Sequence, residues 1–247
     1  MNDRRWWLFP PIAWLSVFLA LPVAVTASKA FSTAGLEALA SPTTWRLVGV
    51  STLVAAVTTV ACLLAGYPVA WCISRMPERR RRWVLFLVVL PFWANLLVRT
   101  YALMTMLRPF GVLDTWFAAV FGLWHGWLPF MVLPLYNAIE KLPPRLAEAA
   151  ADLGATPAQV FFKVVVPATM PGIVAGCVLV FIPVLGAFAT PEMLGGAQAF
   201  MAGSRIQLAF LSGRNPEAGA AMTLVLTAIT LLLLWGYRRV HRSEGLL

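Results

Sequence analysis

Charge is scarce in this chain. Asp, Glu, Lys and Arg make up 12% of its 247 residues, where soluble domains carry about 25%. There are only two histidines, His125 and His241, and neither belongs to a metal-ligand or nucleophile–base pattern. The three cysteines, Cys62, Cys72 and Cys177, fall inside apolar runs without metal-ligand spacing, so they read as small buried hydrophobes and imply no disulfide framework. No G-x-x-x-x-G-K-[ST] phosphate loop occurs, so the chain cannot itself be an ATP-hydrolysing motor. No residue is assigned catalysis, and neither a metal nor a cofactor is implied.

Apolar length is what the chain has in abundance. Hydrophobic residues make up 60% of it and the mean hydropathy is +0.80. Crossing about 30 Å of hydrocarbon takes about 20 residues at helical rise. Six stretches qualify: residues 8–27, 47–73, 84–107, 116–136, 172–193 and 217–236. A helix satisfies its own backbone hydrogen bonds, which lipid demands, and these runs are not the alternating ten-residue segments of a membrane barrel. The expected fold is therefore all-α, a polytopic membrane protein with six transmembrane helices and one transmembrane domain over 1–247. The first run is read as an uncleaved first helix and not as a signal peptide, because of its length and the five spans that follow.

Acidic residues are few against basic ones, 10 to 19, for a net charge of +9. Their placement argues against nucleic acid. With the N-terminus inside, the cytoplasmic segments hold Arg4, Arg5, Arg75, Arg79, Arg80, Arg81, Arg82, Lys141, Arg145, Lys163, Arg238, Arg239 and Arg242. The outer segments hold Lys29, Arg46, Arg108, Arg205 and Arg214. This is the positive-inside pattern, and it places both termini in the cytoplasm. The run Arg79–Arg82 reads as a topology anchor beside anionic lipid. Trp6, Trp7, Trp45, Trp83, Trp116 and Trp235 stand near span ends, where indoles favour the interface.

The outer segments 28–45 and 194–215 are expected to be irregular, the second folding back over the outer face. Pro183, in the fifth span, deprives the Leu179 carbonyl of its helical donor and predicts a kink. Gly172-x-x-x-Gly176 permits close helix approach. No sequence repeat is evident.

The polar stretch 142–171 between the fourth and fifth spans is ordered, not floppy. Pro144 suits a first helical turn. Leu146, Ala149, Ala150 and Leu153 fall on one face, with Arg145, Glu148 and Asp152 elsewhere. Gly154 supplies a left-handed C-terminal cap. Thr156, Pro157 and Gln159 then spell a capping box and a second helix start, with Val160, Phe161 and Val164 on one side. Alanines at 147, 149, 150 and 151 make a poor lipid anchor but allow close approach to a protein groove.

Glu148-Ala149-Ala150, three residues, Gly154, nine residues and Val164-x-Val166-Pro167 together resemble the "EAA" signature of ABC-transporter permeases. Further stretches are similar to the first permease subunit of spermidine/putrescine importers: Leu90 to Trp93, Leu97 to Ala102, Leu128 to Tyr136 with Ala138 to Leu142, and Phe181 to Gly186 through Leu194 to Ala197. The resemblance covers residues 45–240 and implies the type I ABC importer permease fold. It also implies a bacterial inner-membrane complex with an ABC ATPase dimer, a second homologous permease subunit and a periplasmic substrate-binding protein. The cytoplasmic loop 142–171 becomes the ATPase-coupling element, with Glu148, Ala149, Ala150, Asp152, Gly154 and Pro167 as its residues.

A cationic polyamine needs carboxylates or aromatic faces along its route. Glu192, Trp93, Tyr101, Phe188 and Asp114 are the substrate-path candidates. Length arithmetic puts Arg99 and Glu192 near the outer ends of their spans, as a candidate gate ion pair. Related importers carry other small solutes, so a permease for another substrate stays open. An ion-coupled secondary transporter would use ionisable groups near the midplane; no midplane carboxylate is evident, and the loop would have no task. An intramembrane enzyme needs a nucleophile or metal set that is not found.

Overall fold

The computed structural model describes residues 9–212 and 215–244; Arg4, Arg5, Trp6, Trp7 and Arg214 lie outside them. The chain forms helices α1 (Phe9–Ala30), α2 (Thr33–Ala40), α3 (Pro42–Ser74), α4 (Glu78–Val89), α5 (Leu96–Leu107), α6 (Trp116–Glu140), α7 (Pro144–Asp152), α8 (Pro157–Val160), α9 (Val166–Ala168), α10 (Met170–Leu185), α11 (Ala189–Gly195), α12 (Ala202–Leu211) and α13 (Pro216–Glu244). No strand occurs among the described residues. By length and composition α1, α3, α6 and α13 can each cross a membrane, and two bent pairs bring the number to six if each pair is one span.

The centre is the mutual packing of α3, α6 and α10. Cys62 of α3, Leu123, Met131 and Leu135 of α6, and Val180 and Val184 of α10 are all buried there. Glycine sets how closely these helices approach. A Cβ on Gly172 would collide with Ala138 and stand 2.7 Å from the Pro134 carbonyl, and one on Gly176 would stand 2.6 Å from the Met131 sulfur. The Gly172-x-x-x-Gly176 spacing is thus the contact face of α10 on α6, in the small-residue manner of membrane helices. Helix α1 packs on α13 and leaves most of its apolar surface open, as suits a helix facing lipid or another membrane subunit. Of the three cysteines, Cys62 is buried and Cys177 half-buried, but Cys72 is exposed.

Four expectations are corrected. The third span, 84–107, is not one helix. After α4 the chain makes a 3₁₀ turn over Leu90–Trp93, extends at Ala94, and restarts with α5 at an angle of 97°. Pro91 brings no N–H to continue the ladder, and Asn95 accepts the Leu97 N–H at 2.8 Å to cap the new helix. The fifth span, 172–193, also breaks. Helix α10 runs through Pro183 and stops at Leu185, with Gly186 to Phe188 separating it from α11.

Residues 28–45 are largely helical: the Ser32 side chain accepts the Gly35 N–H at 3.2 Å to start α2, and Pro42 opens α3. Of the segment 194–215, the described residues do not lie over a face as a loop. Met201 to Ser204 are buried, and Ser51 accepts the Ala202 N–H at 2.8 Å. Gly203 makes this possible, because its Cα rests where a Cβ would be 2.5 Å from the Gly186 carbonyl oxygen. Small residues let a polar-looking segment tuck inside, and composition alone does not show this.

Replacing Gly172 by Leu should destabilise the protein by about 1–3 kcal/mol or more, as overpacking does, since the Pro134 carbonyl lies in the way. Gly49, whose Cβ would meet nothing within 4 Å, should tolerate Ala with no loss. Thermal unfolding in detergent, followed by size-exclusion fluorescence, checks both. Equal loss in the α3 and α10 variants would contradict this packing.

Candidate functional site

The loop between α6 and α10 folds as its residues dictate. Helix α7 begins with Pro144 at its first turn and ends in a Schellman motif. There the Gly154 N–H donates to the Ala151 carbonyl (2.9 Å) and the Ala155 N–H to the Ala150 carbonyl (3.1 Å). Gly154 has φ +82° and open space around it. Its requirement is therefore conformational, since the left-handed region costs other residues about 1–2 kcal/mol. The Gln159 side chain accepts the Thr156 N–H at 2.9 Å, and Thr156 Oγ1 accepts the Gln159 N–H at 3.4 Å. This is the capping box expected at the start of the second helix.

The second helix is not a single α-helix. Helix α8 gives way to a π-helical turn over Phe161–Val165 before α9. The wider turn brings Phe161 edge-on to Tyr67 (5.4 Å between ring centroids) and to Trp71 (6.2 Å), both on α3. At the end of α9 the axis turns by 66° into α10. Thr169 sits at that bend, fully buried. Its hydroxyl has one hydrogen, which goes to the Val165 carbonyl at 3.0 Å, so the Tyr67 phenol donates to Thr169 Oγ1 at 2.9 Å.

A cleft of about 360 Å³ opens beneath α7, walled by Trp71 and Arg75 of α3, Arg81 of α4, Glu140 of α6 and Leu146 and Glu148 of α7. Arg81 pairs with Glu140 at 2.9 Å and Arg75 lies 4.6 Å above the Trp71 ring. The arginine hairpin is thereby fastened to the end of α6. Its neighbour Arg82 pairs within its own helix with Glu78 at 3.0 Å.

The outer apolar side of α7 stays open. Leu153, the C-cap of α7, is 90% exposed and Phe162 of the π turn 68%, while Leu146, 43% exposed, faces the cleft. Glu148, Ala149, Asp152 and Pro167 are exposed, and Ala150 is half-buried. The loop is thus held on one side by Phe161 and Thr169 and bare on the other. The aromatic anchor, the Tyr67–Thr169 bond and the Arg81–Glu140 pair were not expected. Hydrophobic spacing at 160, 161 and 164 is their only trace in the sequence.

The substrate-path candidates are scattered. Trp93 is 77% exposed and meets Phe86 at 5.9 Å. Tyr101 is exposed on α5, and Phe188 forms the break before α11. Among these five the hydrogen bonds and ring contacts join only Glu192 and Phe188, through the helical N–H of Glu192 to the Phe188 carbonyl at 3.0 Å. Asp114 serves a turn. It adopts φ 59°, donates its N–H to the Leu194 carbonyl at 2.8 Å, and its carboxylate packs against Gly196.

Arg99 and Glu192 do not pair. The ion pairs among the described residues are Arg81–Glu140 and Arg82–Glu78, and the Arg99 guanidinium lies 5.5 Å from the Phe92 ring centroid. It shares a small pocket with Thr100, His125, Gly126 and Thr190. The length arithmetic that brings them together assumes two continuous helices, and both spans are broken.

The described residues thus form an all-helical polytopic membrane architecture with an ordered loop between α6 and α10. The chain belongs to the family of binding-protein-dependent transport system inner membrane components, which matches residues 56–244. It is 45% identical over 203 residues to the spermidine/putrescine transport system permease protein PotB of Haemophilus influenzae, covering 75% of this chain and 71% of that one. The PotB of Escherichia coli is 36% identical over 261 residues, 94% of this chain and 95% of its own. The molybdenum transport system permease protein ModB of Mycobacterium bovis is 28% identical, with 94% and 92% covered. Among solved structures, a bacterial ABC transporter involved in import of the acidic polysaccharide alginate superposes with a TM-score of 0.76 at 19% identity, over 98% of this chain and 96% of that one. The methionine ABC transporter MetNI gives 0.65 at 21% identity, over 82% and 98%. The fold is that of the type I ABC importer permease.

Phe161→Ala should cost roughly 2–3 kcal/mol, below the range of about 3–5 for a fully buried ring, and Tyr67→Phe about 1 kcal/mol for one hydrogen bond. Both should raise hydrogen exchange across residues 157–169 ahead of α6, read by mass spectrometry. Unchanged exchange there would contradict the anchor.

Proposed function

We propose that this chain is a permease subunit of an ATP-driven polyamine importer, forming half of the translocation path, with loop 142–171 as the seat of an ABC ATPase. The carrying observation is the asymmetry of the loop. Helix α7 is stiffened at its C-terminal end by the Gly154 turn and leads into a segment fastened to α3, while its outer face, with Leu153, is bare. An exposed apolar face on a rigid element fits a protein partner. Asp152 in the last turn of α7 opposes the helix dipole at a cost of about 0.3–1 kcal/mol, which a docked partner can offset.

Polyamines are proposed as cargo because the relatives of 36–45% identity carry that name. The other members of the complex are a second permease subunit and a periplasmic binding protein. Both termini are cytoplasmic, on the strength of the arginine distribution. A permease for another solute is the second reading, supported by the similarity to ModB.

In the assembled transporter, Gly154→Pro or Glu148→Lys should leave membrane insertion intact and lower uptake about tenfold, the factor that 1.4 kcal/mol of lost coupling gives. Full coupled uptake in both variants would remove the docking role. Topology is checked in a cysteine-free background with single cysteines in place of Arg80 and of Phe110, which is 76% exposed beyond α5. A membrane-impermeant thiol reagent should reach the two from opposite sides, and labelling of both from one side would sink the orientation.

A further inference from the structure

Arg99 stands deeper than its place in the sequence suggests. A Cβ on Gly126 would lie 3.4 Å from Arg99 Nη2, which fixes the guanidinium at the level of Gly126. That residue comes ten positions after Trp116 and fourteen before Glu140 on α6, about 15 Å and 21 Å along the axis. For a span close to the membrane normal this is well inside about 30 Å of hydrocarbon. A charge at that depth faces protein or water and pairs with an opposite charge or with backbone carbonyls.

The described residues supply dipoles there but no opposite charge. Thr100 already donates its hydroxyl to the Leu96 carbonyl at 2.8 Å. Pro129 leaves the His125 carbonyl without its helical donor, and Thr190 adds a hydroxyl to the same pocket. His125, the other ionisable group lining the pocket, is basic. The ring of Phe92 offers a face at 5.5 Å. The two ion pairs of the described residues lie elsewhere, both involving α4. A pocket of about 10 Å³ is at the lower limit for a single water and cannot hold a polyamine.

We infer that Arg99 is one half of an intersubunit ion pair, its counter-ion being a carboxylate on a membrane segment of the second permease. This rests on the importer reading above. Beside Arg99 on α5, Val98 and Tyr101 are 64% and 61% exposed, which leaves this side of the helix open to a second membrane subunit, and lipid cannot supply the counter-ion. Phosphate headgroups lie at the interface and not at the depth of Gly126. The pair fixes a positive charge within the membrane at the boundary between the two subunits. It keeps that charge neutralised while the subunits are closed on each other, and parting them leaves it bare.

The experiment uses the assembled transporter with a photo-crosslinking phenylalanine in place of Val98, followed by mass spectrometry of the adducts. Adducts should fall on a membrane segment of the second permease within reach of an Asp or Glu. Arg99→Glu should lower uptake about tenfold or more, as leaving a buried charge unpaired does. Changing that partner carboxylate to Arg should restore a substantial part of it, while Arg99→Lys should retain more activity than Arg99→Gln. Adducts on lipid alone, or rescue of Arg99→Glu by Glu192→Arg in the same chain, would overturn the intersubunit pair. If the wild-type chain fails to co-purify with any second permease, the importer reading itself falls, and the pair with it.

Discussion

Thr169 is where the loop meets the membrane helices. It is fully buried at a 66° bend, donates to the Val165 carbonyl, and receives the phenol of Tyr67 from α3. Movement of α7 therefore reaches two of the three central helices at once: α10 through the backbone and α3 through the phenol and the Phe161 ring. The third, α6, is engaged by the glycines of α10 and by the Arg81–Glu140 pair. Packed helices with no slack transmit displacement well, because interiors have low compressibility. A flexible tether would dissipate it.

The other end of the molecule is built from breaks. Both breaks, at Ala94–Asn95 and at Gly186–Phe188, interrupt backbone hydrogen bonding within segments that composition reads as continuous spans. Irregular backbone at membrane depth is tolerated where protein or a water-lined path covers it. Gly203 and Ser51 do this for the second break, through the close approach of α12 and the bond to Ala202. The first break aims Arg99 at α6. The scaffold is thus stiff on the loop side and interrupted away from it.

Local chemistry made the loop legible in advance. Capping residues act within four positions of themselves, so Pro144, Gly154, Thr156 and Gln159 could be read without knowing any neighbour. The family likeness was legible for the same reason, since the spacing from Glu148 to Pro167 is a local pattern. What escaped depends on distant contacts. Thr169 and Tyr67 are 102 positions apart, and nothing near either announces the other. Hydropathy windows average over breaks, which is why 84–107 and 172–193 looked continuous. Residues 201–204 looked like surface because they are small and partly polar, yet smallness is what admits them to the interior. The pairing of Arg99 with Glu192 rests on length arithmetic over two continuous helices, and both of those spans are broken.

The claim that α7 is the seat of a motor subunit is tested most directly at its barest residue. A cysteine in place of Leu153, in the assembled transporter with other cysteines removed, should form a bifunctional thiol cross-link to the ATPase subunit, with a yield that changes when ATP is bound. An active, intact transporter in which Leu153→Cys never cross-links to that subunit, while a lipid-soluble thiol probe reaches it freely, would contradict the account.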